Sequence, residues 1–242
     1  MSLEQNIIKD LQSYSNEKQA LHALRFFKTG KGEYGEGDVF LGLNIPQIRA
    51  VVKKYKKQAD INTIKNMLEN KYHEIRLCAL MLLVEMFRSA KTQEQKELIY
   101  NFYMAHTRTI NNWDLVDLTA YNIAGAFLYG KSHKPLFDFA ASGNLWKERI
   151  AIISTMYFVK RGDFTTTLTL AEKFLTHKHD LMHKAAGWLL REVGKKDINV
   201  LYGFLDKHAA KMPRTMLRYS LEKLPQDKRD YYMALPRLKP VA

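Results

Sequence analysis

Apolar residues recur at helical spacing along nearly the whole chain. Over residues 4–28, Ile7, Ile8 and Leu11, then Leu21, Leu24 and Phe27, form an i, i+3/i+4 stripe. Residues 74–87 go further. There Ile75, Leu77, Ala79, Leu80, Leu82, Leu83 and Met86 are apolar almost all round, the pattern of a helix buried between neighbours rather than laid on a surface. No segment of five or more residues alternates with period two between turn residues, and six prolines and 12 glycines leave few interruptions. The pattern predicts an all-α chain.

The helices also recur. Glu74-Ile75-Arg76-Leu77-Cys78-Ala79 resembles Glu148-Arg149-Ile150-Ala151-Ile152, and both resemble Met182-His183-Lys184-Ala185-Ala186-Gly187. With Arg76, Arg149 and Lys184 as equivalent points the gaps are 73 and 35, two units and one. The missing copy falls near residue 112 or 113, at Asn112-Trp113-Asp114-Leu115-Val116-Asp117, and a weaker fifth copy is Arg214-Thr215-Met216-Leu217-Arg218-Tyr219. A period of roughly 35–37 with two helices per unit predicts an α-solenoid of HEAT-like or armadillo-like repeats. The expectation is a single helical-repeat domain over residues 1–242. Its inner helices, near 74–88, 111–128, 146–160, 181–194 and 213–223, would line a concave basic groove.

Composition narrows what such a groove could hold. Against 25 Asp and Glu stand 38 Lys and Arg, a net charge of +13, which favours polyanions: nucleic acid first, anionic membrane second. The one cysteine, Cys78, cannot form an internal disulfide, and eight scattered histidines lack the spacing of a metal site. The residues after Met1 show no signal-peptide pattern, and the longest apolar stretch, Leu77 to Phe87, is broken by Glu85 and too short to span a bilayer. A cytoplasmic, nucleoid-associated setting is expected.

Residues 29–38 depart from the repeat. Gly30, Gly32 and Gly35 satisfy G-x-G-x-x-G, but a dinucleotide site needs that pattern between a strand and a helix. Here it follows a helix in an all-α chain. Two readings stay open: a long turn, or a flexible loop whose amides approach phosphates.

Repeat register predicts side-chain direction. Arg76, Trp113, Arg149 and Lys184 should face one surface, with Asp117 and Trp188 four residues on along the same helix faces. Arg191 shares the face of Trp188. Taken singly, each has a plain structural use: a tryptophan in the core, Asp117 as an ion-pair partner of Arg149, Arg149 and Lys184 on a solvated face. Together they place two of three tryptophans and one carboxylate beside basic residues. Lys53-Lys54-Tyr55-Lys56-Lys57 is the densest basic run, and Lys178, Lys195 and Lys196 are weaker candidates.

Tryptophan faces and a carboxylate attract cations, while basic side chains hold phosphates. A ligand that is polyanionic overall and locally cationic suits both. An N3- or N7-alkylated purine in DNA is such a ligand. Its charge makes the base a good leaving group, so one carboxylate that stabilises the oxocarbenium-like sugar and orients water is sufficient.

The sequence resembles the DNA alkylation repair family of AlkD-type alkylpurine glycosylases from about Leu21 to Glu222. Its most specific words are Asn112-Trp113-Asp114-Leu115-Val116-Asp117, Trp146-Lys147-Glu148-Arg149 and Gly187-Trp188-Leu189-Leu190-Arg191-Glu192. The resemblance implies HEAT-like repeats and a metal-free, cofactor-free, monofunctional glycosylase that removes cationic N3- or N7-alkylpurines from duplex DNA. It implies a catalytic role for Asp117, groove roles for Trp113 and Trp188, whose rings pack on the deoxyribose, and a DNA-binding role for Arg149. Lys184, Arg191 and Arg76 extend the expected DNA contacts. Phe26 aligns where the family's N-terminal helix can present a tyrosine to DNA. The implied partner is double-stranded DNA with alkylated bases, bound by a monomer, with no membrane. A non-catalytic repeat protein recognising distorted or branched DNA is the alternative, and a scaffold for protein partners a third reading.

Overall fold

Polar residues set where several helices of this chain start. In the computed structural model, which describes residues 2–236, Ser2 and Gln5 form a capping box at the head of α1 (Leu3–Gln12). The apolar stripe over residues 4–28 is interrupted once. Asn16 gives its backbone N–H to Leu41 O at 2.9 Å and accepts from Gln19 N through its side chain, so a new helix, α2 (Glu17–Phe26), starts there. Asn44 and Gln47 cap α3 (Ile45–Tyr55), and Asp60 caps α4 (Ile61–Leu68).

The chain divides into two compact units, residues 1–119 and 120–242. At the centre of the first lies α5 (His73–Ser89), which packs on α3 and α4. Its all-round apolar pattern has the predicted consequence: Ile75, Leu77, Cys78, Leu80, Leu82 and Leu83 are all buried. Burial pushes the Cys78 thiol up to about 12, so it stays protonated. After α6 (Gln93–Ala105), capped by Thr92 and Gln95, a 3₁₀ turn at Thr107–Thr109 leads into α7 (Trp113–Ala120).

The glycine-rich segment is a folded turn. Gly30 N–H donates to Glu33 and Gly32 N–H to Glu36, so its own glutamates take two of the amides that would have approached a phosphate. Beyond it, Glu74 at the start of α5 accepts from Leu41, Gly42 and Leu43 N–H at 2.9, 2.8 and 3.2 Å. Gly42 is required there. Its φ is +83°, and a Cβ would lie 2.1 Å from Asn16 O.

The second unit opens with the π-helical turn Tyr121–Gly125 and the short α8 (Ala126–Leu128), followed by α9 (Lys134–Ala140). The predicted helix near 146–160 is split into α10 (Leu145–Ser154) and α11 (Met156–Val159). At the split, the Ser154 and Thr155 hydroxyls donate back to Ile150 O and Ile152 O at 2.6 and 2.7 Å and compete with the helical ladder. Then come α12 (Thr165–Lys173), a 3₁₀ turn at Phe174–Thr176, α13 (Asp180–Lys196), α14 (Ile198–His208), α15 (Arg214–Leu221) and α16 (Gln226–Ala234). Helix α10 packs on α9 and α13, and α13 on α14 and α15. Gly187 lets α13 and α15 meet: a Cβ there would lie 2.4 Å from Met216 O.

The fold class is therefore all-α, of the α-solenoid kind. Buried helices α5, α10 and α13 fall where the repeat register put inner helices, as do α7 and α15. The described residues contain no strand, only an isolated bridge between Val39 and Tyr72, and no helix long and apolar enough to cross a membrane.

Candidate functional site

The start of α7 is held by a buried charge cluster. His73 lies between two carboxylates, with Nδ1 3.1 Å from Asp38 Oδ2 and Nε2 2.8 Å from Asp114 Oδ2. Carboxylates only accept, so both ring nitrogens donate and the imidazole carries a positive charge. Burial alone would lower its pKa, but the charge and hydrogen bond of Asp114, then those of Asp38, raise it to about 9. Asp38 also accepts from Arg76 Nη2 at 2.5 Å and Asn112 Nδ2 at 3.0 Å. Burial would raise the Asp38 pKa, yet the His73 hydrogen bond, the Arg76 charge and Asn112 hold it down to about 2. Asp114 and Asn112 flank Trp113, so the cluster fixes the helix end that carries the tryptophan.

Aromatic packing completes that fixing. The Phe27 ring stacks on Trp113 with centroids 5.2 Å apart and planes at 15°, and on Phe40 at 4.9 Å and 20°. Phe40 stacks in turn on His73 at 4.8 Å and 26°. Phe26, at 56% exposure, meets Trp113 edge-on at 5.8 Å and 72°. The structure thus brings together two site residues predicted from distant segments, Phe26 and Trp113.

One turn further along α7, Asp117 is half-buried. Behind it, Tyr103 is buried and its hydroxyl lies 3.0 Å from Thr119 Oγ1. Burial pushes the Tyr103 phenol above its ordinary value, and the Asp117 charge adds to that push. Asp117 therefore lies one helical turn after Trp113 and near enough to the buried Tyr103 phenol for its charge to act on it.

In the second unit α10 and α13 carry the remaining candidates. Lys184 is 40% exposed in its side chain and pairs with Asp180 at 2.8 Å across one helical turn. Trp188, half-buried, donates Nε1–H to Glu192 Oε1 at 3.2 Å. The same carboxylate receives Arg191 and Lys195. Arg191, 17% exposed in its side chain, also donates to Glu222. Two carboxylates thus share its charge.

The two repeat arginines depart from the register expectation. Arg76 is 6% exposed and spends its guanidinium on Asp38, Asn111 and the carbonyls of Asn70 and Lys71, so it stands inside the first unit rather than on a DNA-facing surface. Arg149 is 4% exposed and donates Nη1–H to Leu181 O at 2.5 Å. Equivalent register does give equivalent placement, but for these long side chains it is burial at a helix start beside an acidic residue, Glu74 or Glu148. Glu148 has a partner of its own in His177, 2.9 Å away.

Sequence reasoning missed Asp38, His73 and Asp114, and the place of Phe27 in the ring stack. A buried histidine with acids 35 and 41 residues away leaves no periodic signal. The only hint was the acid content of the words around Trp113 and Arg76.

No protein of curated function matches the sequence. Among solved structures the chain is similar to a predicted DNA alkylation repair enzyme from Enterococcus faecalis, with a TM-score of 0.69 and 16% identity over 88% of this chain and 97% of that one. That likeness speaks for the fold. The sequence model described as DNA alkylation repair enzyme matches residues 7–224. Matched over nearly its whole length, the chain belongs to the DNA alkylation repair enzyme family, with a role in the repair of alkylated DNA.

Proposed function

We propose that the protein is a monofunctional DNA glycosylase that hydrolyses the N-glycosidic bond of cationic N3- or N7-alkylpurines in duplex DNA. The observation that carries this reading is Asp117, a half-buried carboxylate one turn from a tryptophan whose helix end is clamped by a charge cluster and a ring stack.

In the reaction, the bond between sugar C1′ and the purine nitrogen breaks, and its electron pair leaves with the base and cancels the positive charge of the alkylated ring. The sugar becomes oxocarbenium-like. The Asp117 carboxylate stabilises that charge and orients a water, which adds to C1′ and passes its proton to the carboxylate or to solvent. Free base and an abasic sugar result. Trp113 and Trp188 pack on the lesion nucleotide, with Phe26 extending the aromatic surface beside Trp113. Lys184 serves as a phosphate contact, Arg191 supports Trp188 through Glu192 as well as contacting the DNA, and the buried Arg149 holds the start of α13 through Leu181 O. A single HEAT-like repeat domain acting as a cytoplasmic monomer fits this use.

Incubating the protein with methylated duplex DNA and measuring free 7-methylguanine tests the reading. Release above the spontaneous rate supports it. DNA binding without release leaves the non-catalytic DNA-binding alternative in its place.

A further inference from the structure

Three cations of the second unit rest on aromatic rings instead of on acids. Lys131 Nζ lies 3.3 Å from the centre of the Phe127 ring, and Lys160 Nζ lies 4.5 Å from that of Tyr121. The Arg161 guanidinium carbon lies 3.5 Å from the centre of the Tyr157 ring. Ring faces attract cations through their quadrupole, which accounts for each pair singly. The acids of the same stretch are engaged elsewhere: Asp138 with Lys134, Glu148 with His177, and Asp163 with Thr165 N–H. Among the described residues no ion pair compensates the three charges.

Rings and cations form one surface. The π-helical turn packs on α11, and Tyr129 meets Tyr157 edge-on at 5.7 Å and 64°. Arg161 spans the two, with its guanidinium carbon 5.4 Å from the Tyr129 ring. The turns that carry these side chains are fixed by their backbones. Tyr129 N–H donates to Gly125 O at 3.1 Å, Lys131 N–H to Leu128 O at 2.9 Å and Arg161 N–H to Phe158 O at 2.8 Å. The cations are therefore in place before a partner arrives, and less side-chain freedom remains to be lost on binding.

The chemistry of the surface selects its partner. Lys131, Lys160 and Arg161 are exposed, and Tyr129 is 40% exposed. Arg161 has five N–H donors, of which Nη1 is engaged by Tyr157 O at 3.2 Å. Free donors on uncompensated cations suit phosphates, and an exposed ring beside them suits the face of a nucleobase. A duplex keeps its base faces inside the stack, so only an unpaired strand uses both. An anionic lipid surface would take the cations but needs apolar side chains to bury. No leucine, isoleucine, valine or methionine of residues 121–163 is exposed.

We propose that this surface binds a single-stranded segment of nucleic acid, with phosphates on Lys131, Lys160 and Arg161 and a base on Tyr129. The inference goes beyond the glycosylase reading and does not depend on it. Arg161 lies past the end of α11, on the order of 15 Å along the helix axis from Arg149 at the start of α10. The strand surface is thus separate from the helix starts that carry the repeat arginines.

The test measures fluorescence anisotropy of the intact protein with labelled oligo(dT) and oligo(U) of about 15 nucleotides, and with an unmodified duplex. Tyr129→Ala and Arg161→Ala should each weaken binding of the single strand by at least about fivefold while duplex affinity changes by less than about twofold. Replacing Lys131, Lys160 and Arg161 together by Gln should reduce the salt dependence of single-strand binding by about two units. Helical circular dichroism should be retained in every variant. The more tightly held of the two oligonucleotides names the sugar. Absence of saturable single-strand binding, or equal losses for strand and duplex, would overturn the proposal. So would variants that lose binding to vesicles of anionic phospholipid but keep oligonucleotide binding. Base release from methylated duplex is a separate readout, and its absence contradicts the glycosylase reading alone.

Discussion

His73 donates to the Asp114 carboxylate at 2.8 Å, and Asp114 is the residue next to Trp113. One imidazole therefore ties the start of α5, the end of the glycine-rich turn through Asp38, and the helix end that carries the proposed site. Its protonation state and the integrity of that site are linked.

The first consequence is a pH dependence of stability. His73 has a folded pKa of about 9 against 6.5 for the free group, so the folded state holds its proton more tightly. Its stabilisation is full below 6.5 and is lost as pH rises through about 9. Asp38 works in the opposite sense: with a pKa of about 2 against 3.8, its contribution is full above 3.8 and is lost as pH falls towards 2. Urea unfolding should show stability falling by on the order of 2–3 kcal/mol across the alkaline window. His73→Gln should be less stable at neutral pH and should lose most of that alkaline slope. An unchanged slope in His73→Gln would contradict the cluster's role.

Glu74 makes a second, local prediction. Glu74→Gln places a side-chain N–H₂ against three backbone donors and leaves some of them unpaired, at a cost of about 1–3 kcal/mol. Amide exchange at Leu41, Gly42 and Leu43 should accelerate more than exchange in α6, which nothing in the substitution touches.

Phe26 separates binding from folding. Its ring is 56% exposed, so Phe26→Ala should change stability by less than about 1 kcal/mol. DNA affinity or base release should nonetheless fall several-fold, because Trp113 loses its edge-on neighbour. Phe26→Tyr should retain function. If Phe26→Ala binds and acts as the unmodified protein does, that ring has no part in the site.

Arg149 and Lys184 should behave differently despite equivalent register. Arg149→Met leaves the Leu181 carbonyl without its buried donor and should cost about 1–3 kcal/mol of stability. Lys184→Gln should leave stability nearly unchanged, since its partner pair is exposed. It should instead weaken binding to any duplex and reduce the salt dependence by about one unit. Equal stability losses in the two variants would contradict this division.

What was legible in the sequence follows from periodicity. The all-round apolar run of α5 announced a buried helix, which the structure bears out, and the recurrence of Glu74-Ile75-Arg76 as Glu148-Arg149-Ile150 falls at the starts of two helices, α5 and α10. Two features were hidden because apolar spacing does not report them: the split at Thr155, where hydroxyls compete with the helical ladder, and the π turn at Tyr121–Gly125. Arg76 was misread as a surface group because periodicity gives the direction of a Cβ, not the depth of the partner awaiting a long side chain. Asp38 lay in a glycine-rich stretch whose composition says turn and nothing about a buried acid. Phe26 beside Trp113 came from resemblance, not from spacing.

The central claim concerns Asp117. The most direct measurement compares Asp117→Asn with the unmodified protein for release of 7-methylguanine from methylated duplex DNA, together with affinity for the same duplex. Release should fall by at least about a hundredfold, the loss expected when transition-state charge loses its counter-charge, while affinity changes little. Release at the unmodified rate in a folded Asp117→Asn protein would contradict the account.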